Sequence, residues 1–135
     1  MACLDLYAGT GALSLEAASR GAALALAVEC SRPLVEALRA NVATLGAAAV
    51  EVQQGDARAF LERERRLFDV IFLDPPFASD PWPWLLPACV PLLSPRGLLY
   101  AEAARAIPPP PELRTMRSDK AGQVHYHLFA RAEPG

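Results

Sequence analysis

The chain has 135 residues, a formal net charge of -2 and 53% hydrophobic residues. That length suits one domain around one core, and that apolar content excludes a disordered chain. No apolar run reaches the roughly 18 residues of a membrane helix, and Met1-Ala2-Cys3-Leu4-Asp5 lacks the basic start of a signal peptide.

Short apolar runs alternate with helical patterns, which predicts an α/β fold, a doubly wound parallel sheet with crossover helices. Cys3 to Tyr7 reads as a first buried strand and Ala8-Gly9-Thr10-Gly11 as a turn, followed by a helix from Ala12 to Arg20. Leu24 to Glu29 is a second strand. Pro33 to Leu45 is a second helix, capped by Ser31 and ended by Gly46. Val50 to Gln54 is a third strand, Ala57 to Arg65 a short charged helix and Asp69 to Leu73 a fourth strand. Trp82 to Leu93 predicts a helix broken by prolines, Gly97 to Ala101 a fifth strand and Pro108 to Pro111 a stiff connector. Leu113 to Arg117 and Val124 to Ala130 flank Asp119-Lys120-Ala121-Gly122, which predicts a terminal hairpin. Residues 1–131 are expected to form a single domain and 132–135 a frayed tail. The chain enters its first core strand almost at residue 1, so either the domain is minimal or an upstream segment is missing.

The glycine turn sits where a first strand meets a first helix, where a ligand can approach the backbone closely. Two later acids strengthen that reading. Glu29 ends the second strand, where a carboxylate can accept both hydroxyls of a ribose. Asp56 follows the third strand and can face an adenine amino group, with the neighbouring Ala57 backbone N–H reading a ring nitrogen. Ligands of open α/β sheets bind beyond the carboxyl ends of the strands, where Asp5, Glu29, Asp56 and Asp74 all fall. A dinucleotide site competes with this reading, although Gly9-x-Gly11-x-x-Ser14 departs from G-x-G-x-x-G at its third position.

The fourth strand decides between them. It runs into Asp74-Pro75-Pro76-Phe77, a rigid loop with few N–H donors and exposed carbonyls. The Asp74 carboxylate and the Pro75 carbonyl can each accept one N–H bond of an exocyclic amine. The nitrogen then turns toward tetrahedral geometry, and its lone pair is aimed at a methyl sulfonium. Phe77 can stack on the base. Orientation and electrostatics would supply the rate, with no metal and no covalent nucleophile.

The series Asp-Leu-Tyr-Ala-Gly-Thr-Gly-Ala from Asp5, Val28-Glu29, Gly55-Asp56-Ala57, and Phe68-Asp69-Val70-Ile71-Phe72-Leu73-Asp74-Pro75-Pro76-Phe77 resembles the class I S-adenosylmethionine-dependent methyltransferases with a D-P-P-Y/F motif. Within them it resembles the bacterial small-subunit (16S) ribosomal RNA (guanine-N2)-methyltransferases. Leu15 to Ala22, Asn41 and Leu128-Phe129-Ala130-Arg131 share the likeness, which covers nearly the whole chain. The resemblance implies a Rossmann-like sheet of about seven strands, order 3-2-1-4-5-7-6, with the last strand antiparallel. It implies S-adenosylmethionine as cofactor, held by Asp5, Tyr7, Gly9 and Gly11 around its methionine end, by Glu29 at the ribose, and by Asp56 and Ala57 at the adenine. Asp74, Pro75, Pro76 and Phe77 would hold the target base.

The implied substrate is guanine N2 in ribosomal RNA or the 30S particle. Adenine N6 in DNA or RNA remains open, as does a catalytically silent binding module. A monomer in the cytoplasm, with no metal and no membrane, is the expected setting. The resemblance implies a basic segment ahead of the glycine turn that this sequence does not include, and the acidic charge balance is unlike the basic surface of most nucleic-acid binders. Weak, salt-sensitive RNA binding is therefore expected.

The remaining residues receive blander expectations. Cys3, Cys30 and Cys89 lack metal-site spacing and read as buried reduced thiols. Arg63, Arg65, Arg66 and Arg114, Arg117, Lys120 read as solvated faces. His125 and His127 share one strand face, at the surface or rim. Trp82 and Trp84 are expected to pack a loop against the sheet.

Overall fold

The computed structural model describes residues 1–132. The chain divides into two compact units, one over Met1–Glu64 and one from Arg65 onward. The first contains β1 (Ala2–Asp5), α1 (Ala12–Ser19), β2 (Leu24–Glu29), α2 (Arg32–Leu45), β3 (Val50–Gln54) and α3 (Ala57–Arg63). β2 pairs in parallel with β1 on one side and with β3 on the other. Small side chains on β2 make room for helices: Ala25, Ala27, Leu38 and Val50 form a buried cluster, with Leu15, Ala18 and Val42 packed against it. α2 starts and stops where its sequence predicts. The Ser31 side chain accepts the Leu34 N–H, and Gly46 closes the helix in a left-handed conformation.

The second unit contains β4 (Phe68–Leu73), α4 (Trp82–Cys89), a single 3-10 turn at Val90–Leu92, β5 (Leu93–Ala103), β6 (Leu113–Ala121) and β7 (Val124–Arg131). β4 and β5 are parallel, whereas β7 runs antiparallel to both β5 and β6. Its core includes Phe68, Ile71, Leu73, Leu85, Leu86, Leu93 and Phe129, all fully buried or nearly so. The strand order is β3-β2-β1-β4-β5-β7-β6 in one seven-stranded sheet, the order and reversed strand that the resemblance implies. Arg131 closes the unit. Its guanidinium donates to the carbonyls of Val90 and Leu93, at the 3-10 turn and the start of β5.

Four expectations are corrected. β5 begins at Leu93 rather than Gly97, because Pro95 falls in the register shift between the Phe68–Leu93 and Val70–Leu98 pairs, where a missing N–H breaks no ladder bond. The hairpin turn is Gly122-Gln123, with Ala121 paired to Val124, so Asp119, Lys120 and Ala121 belong to β6. Gly122 has φ +60°, and no non-glycine among the described residues has positive φ. A two-residue loop with only its first residue in that region is a type II′ turn, which matches the twist of the strands it joins. Cys30 is exposed, unlike Cys3 and Cys89, because it lies just past the end of β2. His127 is buried, because a loop folds over it and Ile107 donates its N–H to Nε2 at 3.1 Å.

Trp82 is buried as expected. Both arginine clusters are exposed. In the expected tail, the Ala132 N–H donates to the Glu112 carbonyl at 2.8 Å, and 133–135 lie outside the described residues.

Candidate active site

In the first unit, the predicted cofactor residues gather at the carboxyl ends of β1, β2 and β3. Glu29 is their hub. Its Oε1 accepts the Gly9 N–H at 2.8 Å and its Oε2 accepts the Ser31 N–H at 2.8 Å. Its carbonyl accepts the Gly55 N–H at 3.0 Å, which brings the end of β3 alongside. A carboxylate oxygen has two lone pairs, so Glu29 can hold the two hydroxyls of a ribose while keeping both backbone bonds.

The two glycines of the turn have different reasons to be glycine. Gly9 has φ +59°, and a Cβ built there meets nothing within 4 Å, so the backbone borders open space. Gly11 has φ +91°, and its Cβ would lie 2.0 Å from Leu38 Cδ1 of α2. Close approach by a helix side chain, rather than by a ligand, forbids a side chain there. Asn41 of the same helix donates to the Thr10 carbonyl at 3.2 Å. Tyr7 is half-buried at the start of the turn.

Asp5 and Asp56 also carry structural duties. Asp5 is buried and accepts the Ser14 hydroxyl at 2.9 Å. Ser14 occupies the third position of the glycine pattern, and this bond explains the departure there, since it ties α1 to the end of β1. Asp56 caps α3, its Oδ2 accepting the Ala59 N–H at 3.0 Å. The carboxylate is exposed, and Ala57 follows as the first helical residue, where a backbone N–H has no partner within the helix.

In the second unit, β4 delivers Asp74-Pro75-Pro76-Phe77. The Asp74 carboxylate is exposed, Pro75 is buried, and the Phe77 ring is 50% exposed, an unusual placement for so large an apolar group. The loop is braced from behind. The Pro76 carbonyl accepts both the N–H and the hydroxyl of Ser79, at 3.0 and 2.8 Å. Asp80 then takes Arg105 through both carboxylate oxygens, at 2.9 and 3.2 Å, tying this loop to the segment that leaves β5. This exposed pair contributes little stability but restricts where the loop can go.

Sequence reasoning missed a second carboxylate here. Leu73 pairs with Ala101, so the next residues along the two parallel strands, Asp74 and Glu102, are neighbours. Their side chains are close enough for a hydrogen bond when Glu102 is protonated. Burial and the Asp74 charge both raise the Glu102 pKa above its ordinary value. The Tyr100 hydroxyl donates to Glu102 Oε1 at 3.1 Å. Burial, followed by the Glu102 charge, pushes the Tyr100 phenol well above its usual range. Phe72, Tyr100 and Tyr126 line up beside the pair, with ring centroids 6.4 and 6.2 Å apart. The available signal was Glu102's position, one residue past the expected end of the fifth strand.

Among the described residues, no helix is long and apolar enough to cross a membrane, and no cluster of His, Cys, Asp and Glu could hold a metal ion.

A family model described as "Conserved hypothetical protein 95" matches residues 1–130. Ribosomal RNA small subunit methyltransferase D of Escherichia coli (strain K12) is 37% identical over 98% of this chain and 70% of its own length. The protein of the same name in Haemophilus influenzae is 33% identical over 94% of this chain and 70% of its own length. Among solved structures, yhhF from Escherichia coli superposes with a TM-score of 0.89 at 35% identity, covering 96% of this chain and 75% of that one. HI0767 from Haemophilus influenzae gives 0.87 at 29% identity, covering 97% and 86%. A family-model match over residues 1–130, with 37% identity to a relative across almost the whole chain, places the chain in the ribosomal RNA small subunit methyltransferase D family.

Proposed function

We propose that this chain methylates the exocyclic N2 of a guanine in small-subunit ribosomal RNA, with S-adenosylmethionine as the donor and residues 1–131 serving as one catalytic domain. The observation that carries the reading is the braced Asp74-Pro75-Pro76-Phe77 loop, with an exposed carboxylate at its first residue and a half-exposed ring at its last, in a chain of this family. The donor set of the first unit fits the cofactor: a fixed carboxylate at Glu29, an acid and a first-turn helical N–H at Asp56 and Ala57, and open backbone at Gly9. Asp5, Tyr7, Gly9 and Gly11 surround its methionine end in this reading. When bound, S-adenosylmethionine supplies an electrophilic methyl group on a positively charged sulfur.

The protein's own contribution is to make a poor nucleophile a better one. The lone pair of a guanine N2 is delocalised into the ring. Asp74 and the Pro75 carbonyl accept its two N–H bonds and draw the nitrogen out of planarity, and Phe77 holds the base by stacking. Fixed acceptors of this kind need no reorganisation as charge develops on the nitrogen. The nitrogen that gains a methyl must release one proton, and the Asp74 carboxylate is the group positioned to take it before passing it to water. Pro75, Pro76 and the Ser79 brace keep that carboxylate from drifting, and small misplacements are costly in rate. The setting is the cytoplasm, where the chain acts as a monomer on the 30S particle or its RNA.

The test supplies tritiated donor with 30S particles, naked ribosomal RNA and DNA, followed by nucleoside analysis. N2-methylguanosine from ribosomal RNA is expected. N6-methyladenosine as the main product would overturn the guanine assignment. Label only in protein would overturn the nucleic-acid reading, and no transfer to any substrate would favour a silent binding module.

A further inference from the structure

We infer that Glu102 is a specificity-determining residue that reads guanine through its N1–H, beside the N2 amine held by Asp74. The inference rests on the guanine reading above and extends it to how the base is told from others.

The geometry starts from strand register. Asp74 and Glu102 follow the paired Leu73 and Ala101 on adjacent parallel strands, which run about 4.8 Å apart. On the other side of β5, Glu102 pairs with Tyr126 of β7. Side chains alternate between sheet faces, so Phe72, Asp74, Tyr100, Glu102, Tyr126 and Leu128 share one face. The contacts agree, since the rings of Phe72, Tyr100 and Tyr126 meet in sequence. Glu102 is half-buried, and its Oε1 is fixed by the Tyr100 hydroxyl at 3.1 Å. A carboxylate held this way cannot swing out to solvent without breaking that bond.

Two neighbouring carboxylates repel. Burial, with the Asp74 charge added to it, raises the Glu102 pKa above its ordinary value. A ligand edge that offers a donor to each carboxylate relieves the repulsion. Guanine is such a base, because its N1–H and N2–H donors lie next to each other on its Watson–Crick edge. Adenine offers an amine beside an unprotonated N1, which would set a lone pair against the Glu102 carboxylate. An enzyme that takes a base out of its stack reads it along this edge. A site built to bond an N–H group rejects the analogue that lacks it, because the site's own polar group is then left unpaired. The Asp-Pro-Pro-Phe loop treats any exocyclic amine alike, so discrimination falls to the residue beside it.

The test uses a synthetic ribosomal RNA fragment spanning the guanine that the chain methylates, prepared with either guanine or 2-aminopurine at that one position. 2-Aminopurine keeps the N2 amine but has an unprotonated N1. The wild-type chain is expected to prefer guanine by roughly ten- to a hundred-fold in kcat/KM, the range for one hydrogen bond to a charged group. In Glu102→Gln the amide can accept from N1–H or donate to a bare N1, so the preference should collapse to about unity. A structural role alone would lower both rates together and leave the ratio intact. An unchanged ratio in Glu102→Gln overturns the inference. Equal wild-type rates on guanine and 2-aminopurine also overturn it, whether or not the variant folds. A methylated product other than N2-methylguanosine from the guanine fragment overturns the proposed function instead.

Discussion

Replacing Gly11 with alanine separates two reasons for a glycine in this turn. A ligand-driven glycine would cost binding and leave stability nearly intact. The structure gives Gly11 φ +91° and sets its Cβ position 2.0 Å from Leu38 Cδ1. Leu38 is fully buried, so it cannot step aside into solvent. The left-handed backbone costs about 1–2 kcal/mol for an alanine. The clash adds about 1–3 kcal/mol of overpacking. The expected loss is therefore about 2–5 kcal/mol, measured by urea unfolding followed by far-ultraviolet circular dichroism with no ligand present. Gly9→Ala is the control. Its Cβ meets nothing within 4 Å, so only the backbone cost of about 1–2 kcal/mol applies. Adding Leu38→Ala to Gly11→Ala should recover the clash and give a favourable coupling of about 1–3 kcal/mol. A Gly11→Ala chain within about 0.5 kcal/mol of wild type, below the cost of either the backbone or the clash, would refute the packing argument.

Other variants test the division of labour in the proposed site. Asp74→Ala should abolish methyl transfer while calorimetry finds S-adenosylhomocysteine affinity little changed, whereas Glu29→Ala should weaken that affinity by roughly ten- to a hundred-fold, as for one charge-assisted bond; near-normal turnover by Asp74→Ala would refute the mechanism. Thiol titration of the native chain should count one fast-reacting cysteine, Cys30, because Cys3 and Cys89 are buried and burial pushes the Cys89 pKa to about 12. His127 is held neutral by burial, with its pKa lowered in the fold, and Nε2 accepts the Ile107 N–H. The unfolded chain therefore takes up that proton first. Stability should fall as pH drops below about 6.5, by up to about 1.4 kcal/mol per pH unit, until the folded pKa is reached. His127→Gln should lose this slope in pH-dependent unfolding, and an unchanged slope would contradict the assignment.

The sequence by itself determined the elements and where along the chain the candidate site residues fall, because the relevant signals are local. Ser31, Pro33 and Gly46 mark the ends of α2 within its own residues, and alternating apolar runs mark the buried strands whatever lies beside them. Acids at successive strand ends are legible for the same reason, since the end of a strand is a property of the chain. Tertiary structure decided what each polar group touches. Ser14 looked like a departure from a glycine pattern until Asp5 was found at 2.9 Å. Gly11 looked like a glycine required by a ligand until Leu38 was found 2.0 Å from its Cβ position. His127 looked superficial until the loop carrying Ile107 folded over it. Glu102 carried no motif at all. It came to lie beside Asp74 only through the register that sets β5 beside β4, with Leu73 against Ala101. Register is fixed by packing between residues distant in sequence, and no local pattern encodes it.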